Sequence, residues 1–196
     1  MIVDTKGMYV FPVEVHRIVL DIDHQAIADY TLEHRETWPG YTTYHDQELN
    51  KEWQAGLPDR EKLESCMIEA GNEYCKRTKR PLFSEYGGGH WLFYWVSVYD
   101  EGDQHDSHNH PNSLIAGTYY TNIGKGSSAL TLEAPWKNHI MHDQFMNRQM
   151  THPIQPNTGD MYLWPAWLDH RVQKQRKSDK RRIAISFNID YNKYHD

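Results

Sequence analysis

Few cysteines and no long apolar run are present in this sequence. It has two cysteines in 196 residues, and no window approaches the ~20 apolar residues of a membrane-spanning helix. Cys66 and Cys75 are nine positions apart in a segment with helical periodicity, which would separate them by roughly 13 Å along the axis. We therefore expect two unbridged cysteines in the core of a cytoplasmic protein that neither spans nor binds a membrane.

Positive charge is also scarce. The chain has 21 Lys and Arg against 27 Asp and Glu, a net charge of -6, and its one basic run, 174–182, is interrupted by Gln and Asp. A nucleic-acid backbone would reward a basic face, so no nucleic-acid partner is expected. The sequence also lacks a Gly-x-Ser-x-Gly turn and a glycine-rich loop with the spacing of a phosphate cradle, which argues against a nucleophilic hydrolase and a nucleotide site.

Large aromatic residues are abundant, and the two parts of the chain differ in pattern. Seven Trp and 13 Tyr supply packing surface, and no linker-like stretch divides the chain, so residues 1–196 are predicted to form a single domain. Within residues 1–80, segment 10–22 predicts one or two strands, and Asp23 and Asp59 are placed to cap two amphipathic helices. These elements are expected to support the remainder of the domain.

Residues 81–196 change to short alternating runs bounded by Gly, Pro, Asn and Asp, which is typical of antiparallel β-structure. The predicted strands are 91–99, 114–122, 127–133, 161–165 and 182–190. Turns are expected at the glycine-containing segments 87–89 and 123–126. Helices followed by an antiparallel sandwich or barrel make an α+β fold, with 81–196 as the core that carries the site.

Histidines near residue 108 form the most informative motif. In Asp106-Ser-His108-Asn-His110, residues two apart share a face of an extended strand, so both imidazoles and the Asp106 carboxylate would point the same way. A third ligand from a distant strand would leave coordination positions open, and His170, which closes an apolar run, is the candidate. We predict a metal site of His108, His110 and His170, with Asp106 as the alternative to His110. The other histidines considered are expected to be exposed loop residues: His105, His139, His142, His152 and His195.

Four blocks between residues 91 and 192 resemble, in order and spacing, the iron(II)- and 2-oxoglutarate-dependent oxygenase superfamily, especially its small prolyl-hydroxylase-like bacterial and phage members. The blocks are Tyr99 on a strand, His108-Asn-His110-Pro-Asn-Ser, Gly117-Thr-Tyr-Tyr120-Thr-Asn, and Gly159-Asp-Met-Tyr-Leu-Trp-Pro followed by His170 and Arg182-Ile-Ala-Ile-Ser186-Phe-Asn. The resemblance implies a double-stranded β-helix, that is, a jelly-roll or cupin-like barrel with N-terminal packing helices.

The resemblance also implies roles for single residues. His108 and His170 match the first and the distal iron ligand of the superfamily. Arg182 matches the basic residue that binds the far carboxylate of 2-oxoglutarate, and a planar guanidinium suits a carboxylate. The cosubstrate pocket is expected to be lined by Tyr120, Tyr99 and Ser186.

The second ligand position departs from the superfamily pattern. The superfamily usually has a carboxylate two residues after the first ligand, and this chain has His110 there. A neutral three-histidine site leaves more net positive charge on Fe(II), which would alter its redox tuning. Either His110 is a ligand, or Asp106 supplies the carboxylate and His110 supports it from outside the coordination sphere.

The implied activity is a non-haem dioxygenase that uses Fe(II), 2-oxoglutarate and O2, with hydroxylation of a C–H bond as the usual outcome. Trp164, Trp167 and Leu168 are expected to form an apolar wall near His170. The substrate, a peptide or a small molecule, stays open, as does the oligomeric state, for which a homodimer paired through the early strands is one option. Segment 135–159 is expected to be either a lid over the iron or a helix packed on the barrel.

Two other functions compete with the oxygenase. Gly102-x5-His108-x-His110 and Gly159-x5-Pro165-x4-His170 also resemble the motifs of a cupin, which would be a three-histidine metal-dependent dioxygenase or isomerase. However, Leu114 and Ile115 stand where a cupin has a glutamate ligand, and a cupin has no need for Arg182. The third candidate is a metal-free jelly-roll binding protein, which failure to bind Fe(II) would favour.

Overall fold

The chain is described by a computed structural model that covers residues 2–10, 13–79, 90–135 and 151–191. Its helices are α1 (His24–Arg35), α2 (Gln47–Ala55) and α3 (Arg60–Arg77). Its strands are β1 (Ile2–Val10), β2 (Val13–Leu20), β3 (His90–Tyr99), β4 (His105–His108), β5 (Ile115–Asn122), β6 (Leu130–Glu133), β7 (Thr151–Ile154), β8 (Asp160–Pro165), β9 (His170–Val172) and β10 (Arg182–Tyr191). Helices thus precede most of the strands, as expected for an α+β fold.

The strands form two antiparallel sheets. The large sheet has the order β1-β2-β8-β5-β10-β3, and the small sheet has the order β4-β9-β6-β7. Side chains alternate along β10, so that Ile183, Ile185 and Phe187 join one core cluster while Ala184 joins a second cluster. The second cluster also contains residues of β6, β7 and β9 and therefore lies between the two sheets. This arrangement is the double-stranded β-helix that the resemblance implied.

The helices pack on the outer face of the large sheet. The Asp23 carboxylate caps α1 by accepting a hydrogen bond from the backbone N–H of Ala26 at 2.9 Å, as predicted. Asp59 precedes α3 but has a positive φ of 54° and makes no side-chain capping bond. The prediction that its side chain caps this helix is therefore wrong. Cys66 and Cys75 are buried and unbridged on α3, which confirms their expected role in packing.

The inward face of the large sheet is organised in transverse rows, because the strand register aligns every second residue. We number these rows from the end of the sheet at which Arg182 lies. The first row is Arg182 and Tyr99; the second is Ala184, Tyr120 and Ser97; the third is Ser186, Thr118, Tyr162 and Trp95; the fourth is Asn188, Ala116, Trp164 and Phe93. The site described below lies between these rows and the small sheet.

The predicted elements and the observed ones differ at several segments. The five strands predicted after residue 81 are present, and the turn at 123–126 precedes β6 as expected. Most of β1, α2 and the short strands β4, β7 and β9 were not predicted. His152, expected to be an exposed loop residue, is partly buried on β7, in the described part of segment 135–159. The predicted turn at 87–89 and the histidines His139, His142 and His195 lie outside the described residues. No helix in the described part of the chain is long and apolar enough to cross a membrane.

Candidate metal centre

Three histidines meet on the small sheet because β4 and β9 are neighbours. His108 ends β4, His170 begins β9, and the two residues are direct cross-strand partners. His110 follows in the loop, where its backbone N–H donates to the carbonyl of Ala166 at 2.9 Å. The predicted set therefore comes together, although His110 is held by a loop contact to the segment before β9 and not by a continuous strand.

The ring nitrogens of the three histidines converge. One ligand atom from each of His108, His110 and His170 lies within 4.8 Å of the others, and Nε2 of His110 is 3.2 Å from Nε2 of His170. Two of the rings are oriented by backbone carbonyls: Nδ1 of His108 contacts the Asp106 carbonyl at 2.8 Å, and Nδ1 of His170 contacts the Leu168 carbonyl at 3.0 Å. Because these Nδ1 atoms must donate a proton, the Nε2 lone pairs are left free to bind an ion.

Burial keeps the His110 and His170 rings uncharged. Burial lowers the pKa of His110 to about 4, with the positive charges of neighbouring imidazoles as the second cause. The pKa of His170 is also lowered well below its usual value, chiefly by burial. Neutral imidazole is the form that coordinates metals, so near neutral pH these two rings offer lone pairs and not protons.

Asp106 and His105 have different surroundings from those predicted. Asp106 is exposed and accepts a hydrogen bond from Nε2 of Gln104 at 3.1 Å, outside the converging group. His105 was expected to be an exposed loop residue, and this is wrong: it is half-buried on β4, and its ring stacks on His108 with a centroid distance of 4.2 Å. The hydroxyl of Tyr41 contacts Nδ1 of His105 at 3.3 Å. His105 therefore packs against the ring of His108 and helps to hold it in place.

Arg182 is a buried cation without a carboxylate partner among the described residues. Its side chain lies in the same pocket as the three histidines, and the residue is 1% exposed. The guanidinium carbon stands 4.6 Å from the ring centroid of Tyr99 and 5.0 Å from that of Tyr120, and Nη2 is 3.4 Å from the Tyr120 hydroxyl. Its Nε and Nη1 atoms are buried and have no hydrogen-bond partner in the described part of the chain. By contrast, the adjacent Arg181 forms ion pairs with Glu36 and Asp100.

The remaining predicted pocket residues line the same pocket as Arg182 and the histidines. Burial raises the pKa of both Tyr99 and Tyr120, so their hydroxyls stay protonated and can donate hydrogen bonds. The Ser186 hydroxyl lies 3.0 Å from that of Thr118 in the third row. Thr118 was not singled out from the sequence, although strand alternation places it on the same face as Tyr120.

The predicted apolar wall is present in part. Trp164 is buried and its ring meets that of His170 edge-on, with centroids 4.9 Å apart. Leu168 is also buried, whereas Trp167 is 51% exposed. On the opposite side, Trp95 lies beside the His110 ring at a centroid distance of 5.9 Å, a contact that the sequence did not reveal.

Residues 93–188, about half of the chain, match the family described as "Putative 2OG-Fe(II) oxygenase". The matched segment contains the three converging histidines and Arg182. No curated protein matches the sequence. The family match confirms the resemblance on which the expected cosubstrate and metal were based.

HygX and SnoN share the fold of this chain at low sequence identity. HygX from Streptomyces hygroscopicus, with nickel and 2-oxoglutarate bound, is 9% identical with a TM-score of 0.54 over 92% of this chain and 83% of HygX. The epimerase SnoN from nogalamycin biosynthesis, described as non-heme and alpha-ketoglutarate-dependent, is 12% identical with a TM-score of 0.53 over 90% of this chain and 76% of SnoN. A prolyl-4-hydroxylase from Pseudomonas putida is 13% identical with a TM-score of 0.39, and the alignment covers 51% of this chain and 51% of the hydroxylase.

Proposed function

We propose that this chain, which belongs to the iron(II)- and 2-oxoglutarate-dependent oxygenase superfamily, is a dioxygenase that hydroxylates a C–H bond of a small-molecule or peptide substrate. The observation that carries the proposal is the coexistence, in one pocket, of three converging imidazoles and a buried arginine with two nitrogens that have no partner among the described residues. The first group suits a divalent metal ion, and the second suits an anion.

His108, His110 and His170 would hold Fe(II). Their donor set fits this ion, because imidazole nitrogens are good ligands for iron and three ligands on one side leave further positions open. When bound, Fe(II) supplies the activation of O2, with the decarboxylation of 2-oxoglutarate to succinate providing the electrons. The backbone carbonyls at Asp106 and Leu168 fix the rings of His108 and His170, so the protein holds these ligands ready before the metal arrives.

Arg182 would bind the far carboxylate of 2-oxoglutarate. A buried guanidinium needs a partner for its charge and its N–H groups, and a carboxylate supplies two acceptors in a matching plane. The protonated Tyr120 hydroxyl, next to Nη2, would donate to the same carboxylate, and Ser186 lies two rows along the sheet from Arg182. This arrangement gives Arg182 a role that a cupin or a metal-free binding protein would not require.

The walls of the pocket would orient 2-oxoglutarate and exclude water. Tyr99 covers one side of the guanidinium, and Trp164 and Leu168 close the site next to His170. Exclusion of water strengthens the charge-assisted contact with Arg182 and protects a reactive centre from side reactions.

The test is anaerobic binding of Fe(II) and 2-oxoglutarate, followed by the weak visible charge-transfer band of a keto acid chelated to iron. We expect the band in the wild type. In Arg182→Met, loss of a buried charged contact of 2 kcal/mol or more should raise the concentration of 2-oxoglutarate needed by about 30-fold or more. Arg181→Met, which removes the neighbouring exposed arginine, is the matched control and should titrate like the wild type.

Each failure points to a different alternative. Iron binding without the band at any concentration of 2-oxoglutarate would replace the oxygenase with a cupin-type activity. Failure of the wild type to bind Fe(II) would refute the catalytic proposal as a whole. Formation of product with one added oxygen atom, detected by mass spectrometry in a substrate screen, would establish hydroxylation as the reaction.

A further inference from the structure

The fourth row of the large sheet contains two polar groups that the proposed binding of Fe(II) and 2-oxoglutarate does not use. Trp164 is 1% exposed, and its indole Nε1 is buried without a hydrogen-bond partner among the described residues. Asn188 is 9% exposed, and its Oδ1 is buried and unpaired in the same part of the chain. An unpaired buried donor or acceptor costs about 1–3 kcal/mol, so two in one row call for an explanation.

The register shows that both groups face the barrel interior. Asn188 is on the same face of β10 as Arg182 and Ser186, and Trp164 lines the pocket directly. Ala116 is the cross-strand neighbour of both residues and separates them. Ala116 contributes only a methyl group between the Trp164 indole and the Asn188 amide. The row therefore has a hydrogen-bond donor on one side of a small residue and an acceptor on the other.

The fourth row lies beside the metal centre, at the end away from Arg182. The Trp164 ring contacts the His170 ring, and Trp95, in the adjacent third row, contacts the His110 ring. An aromatic wall continues outward from Trp95, since Tyr44 lies 4.8 Å from Trp95 and 6.1 Å from Phe93 between ring centroids. The row is therefore placed where a substrate, and not the far carboxylate of 2-oxoglutarate, would lie.

The chemistry of the row is neutral. Its four members are Asn, Ala, Trp and Phe, and Asp190, the next residue on this face of β10, has interactions of its own. A carboxylate ligand would have no cation here, and an ammonium ligand would meet the Trp164 N–H, which can only donate. A group with one acceptor for Trp164 and one donor for Asn188 satisfies both residues.

We propose that Trp164 and Asn188 form a substrate subsite for a neutral amide, in which the Trp164 indole N–H donates to the amide carbonyl side of the substrate and Asn188 Oδ1 accepts from its N–H side. This inference rests on the proposed oxygenase function and specifies its substrate class. An amide presents a donor and an acceptor in fixed directions, and its plane fits against the Phe93 and Trp95 rings.

The test follows the indole N–H signals of the 15N-labelled protein by NMR, with redox-inert Zn(II) and 2-oxoglutarate bound and N-methylacetamide as the probe. The Trp164 signal, assigned from Trp164→Phe, is expected to shift saturably with the probe. Trp53 is the matched control, because its buried Nε1 already donates to Oγ1 of Thr31 at 3.2 Å and should not respond. Acetate, methylammonium and ethylene glycol serve as the anionic, cationic and hydroxyl counterparts.

Asn188→Leu separates recognition from a structural role. Replacing an unpaired buried acceptor by an apolar group of similar size should leave the melting temperature unchanged or raise it. The same variant should weaken probe binding, followed by the Trp164 signal, by about 3- to 10-fold, which is the range of one net hydrogen bond. Lower thermal stability of Asn188→Leu with unchanged probe binding would show that Asn188 only supports the fold and would overturn the proposal.

The remaining outcomes separate this inference from the proposed function. A Trp164 signal that shifts with 2-oxoglutarate but not with the amide would assign Trp164 to the cosubstrate and overturn the subsite. A stronger response to acetate, methylammonium or ethylene glycol than to the amide would overturn the substrate class. Failure of 2-oxoglutarate to raise the melting temperature would refute the proposed function itself, and a saturable amide shift with Zn(II) alone would still support the subsite.

Discussion

Replacing Arg182 by Met should leave the protein at least as stable without 2-oxoglutarate and make it less responsive to 2-oxoglutarate. Arg182 is 1% exposed, and two of its nitrogens have no partner among the described residues, so the folded protein carries an uncompensated desolvation cost. Met has a similar length and no charge. The substitution therefore removes a cost in the unliganded state and a binding contact in the liganded state.

The magnitude follows from the contacts of Arg182. Replacing buried ionic groups by apolar residues of similar volume is often neutral or stabilising by about 1–4 kcal/mol. The stacking of the guanidinium on Tyr99 and Tyr120 offsets most or all of this gain, at about 0.5–2 kcal/mol for each ring. We therefore expect the free energy of unfolding of Arg182→Met to be unchanged or higher by about 1–2 kcal/mol, a rise of roughly 2–8 °C in melting temperature for a chain of this size.

2-Oxoglutarate should stabilise the wild type more than it stabilises Arg182→Met. At 100 times its dissociation constant, 2-oxoglutarate should stabilise the wild type by about 2.7 kcal/mol. A variant with about 30-fold weaker binding should gain only about 0.9 kcal/mol at the same concentration. Thermal unfolding followed by circular dichroism, with metal present throughout and Arg181→Met as control, measures both quantities.

The opposite result would contradict the proposed role of Arg182 in binding 2-oxoglutarate. If Arg182→Met melts several degrees below the wild type without 2-oxoglutarate and gains as much from the ligand as the wild type does, then Arg182 is a structural residue. Its unpaired nitrogens would then not mark an anion site.

Three further predictions concern the second ligand, the packing and the pH dependence. His110→Ala should abolish tight Fe(II) binding in a metal titration while Asp106→Asn leaves it unchanged, and the reverse pattern would favour the carboxylate as the ligand. Gly117→Ala should lower the free energy of unfolding by about 1–3 kcal/mol in chemical denaturation, because its methyl group would overlap an aromatic ring of β10, whereas Gly40→Ala has open space and should not. Burial lowers the pKa of His16 in the folded protein, so its contribution to stability is present above pH 6.5 and lost as the pH falls below that value; a His16→Gln variant with an equally steep loss would contradict this assignment.

Much of the architecture could be predicted because alternation and helical periodicity are local properties of a sequence. The β10 segment shows alternation directly, with Ile183, Ile185 and Phe187 on one face and Arg182 on the other. The short elements were missed because three or four residues, as in β9, contain too little periodicity to stand out. Their pairing with neighbours defines them, and a pairing partner is not a local property.

For the site, the residue types were readable and their environment was not. The pattern of the sequence identified His108, His110 and His170 as candidate ligands, because imidazoles two residues apart on a strand have a restricted set of uses. Arg182 was a candidate because of the resemblance to the oxygenase superfamily. The close approach of His108 to His170 depends on the antiparallel pairing of β4 with β9.

Burial and hydrogen bonding were decided by the tertiary structure alone. The sequence around His105 does not distinguish it from an exposed histidine. The register of β4 is irregular between His105 and His108, and their rings stack on each other in the folded chain. Likewise, no pattern in the sequence shows that Arg182, Trp164 and Asn188 keep buried polar atoms without partners among the described residues. Whether a polar atom is paired depends on every element packed around it, and that information exists only once the chain has folded.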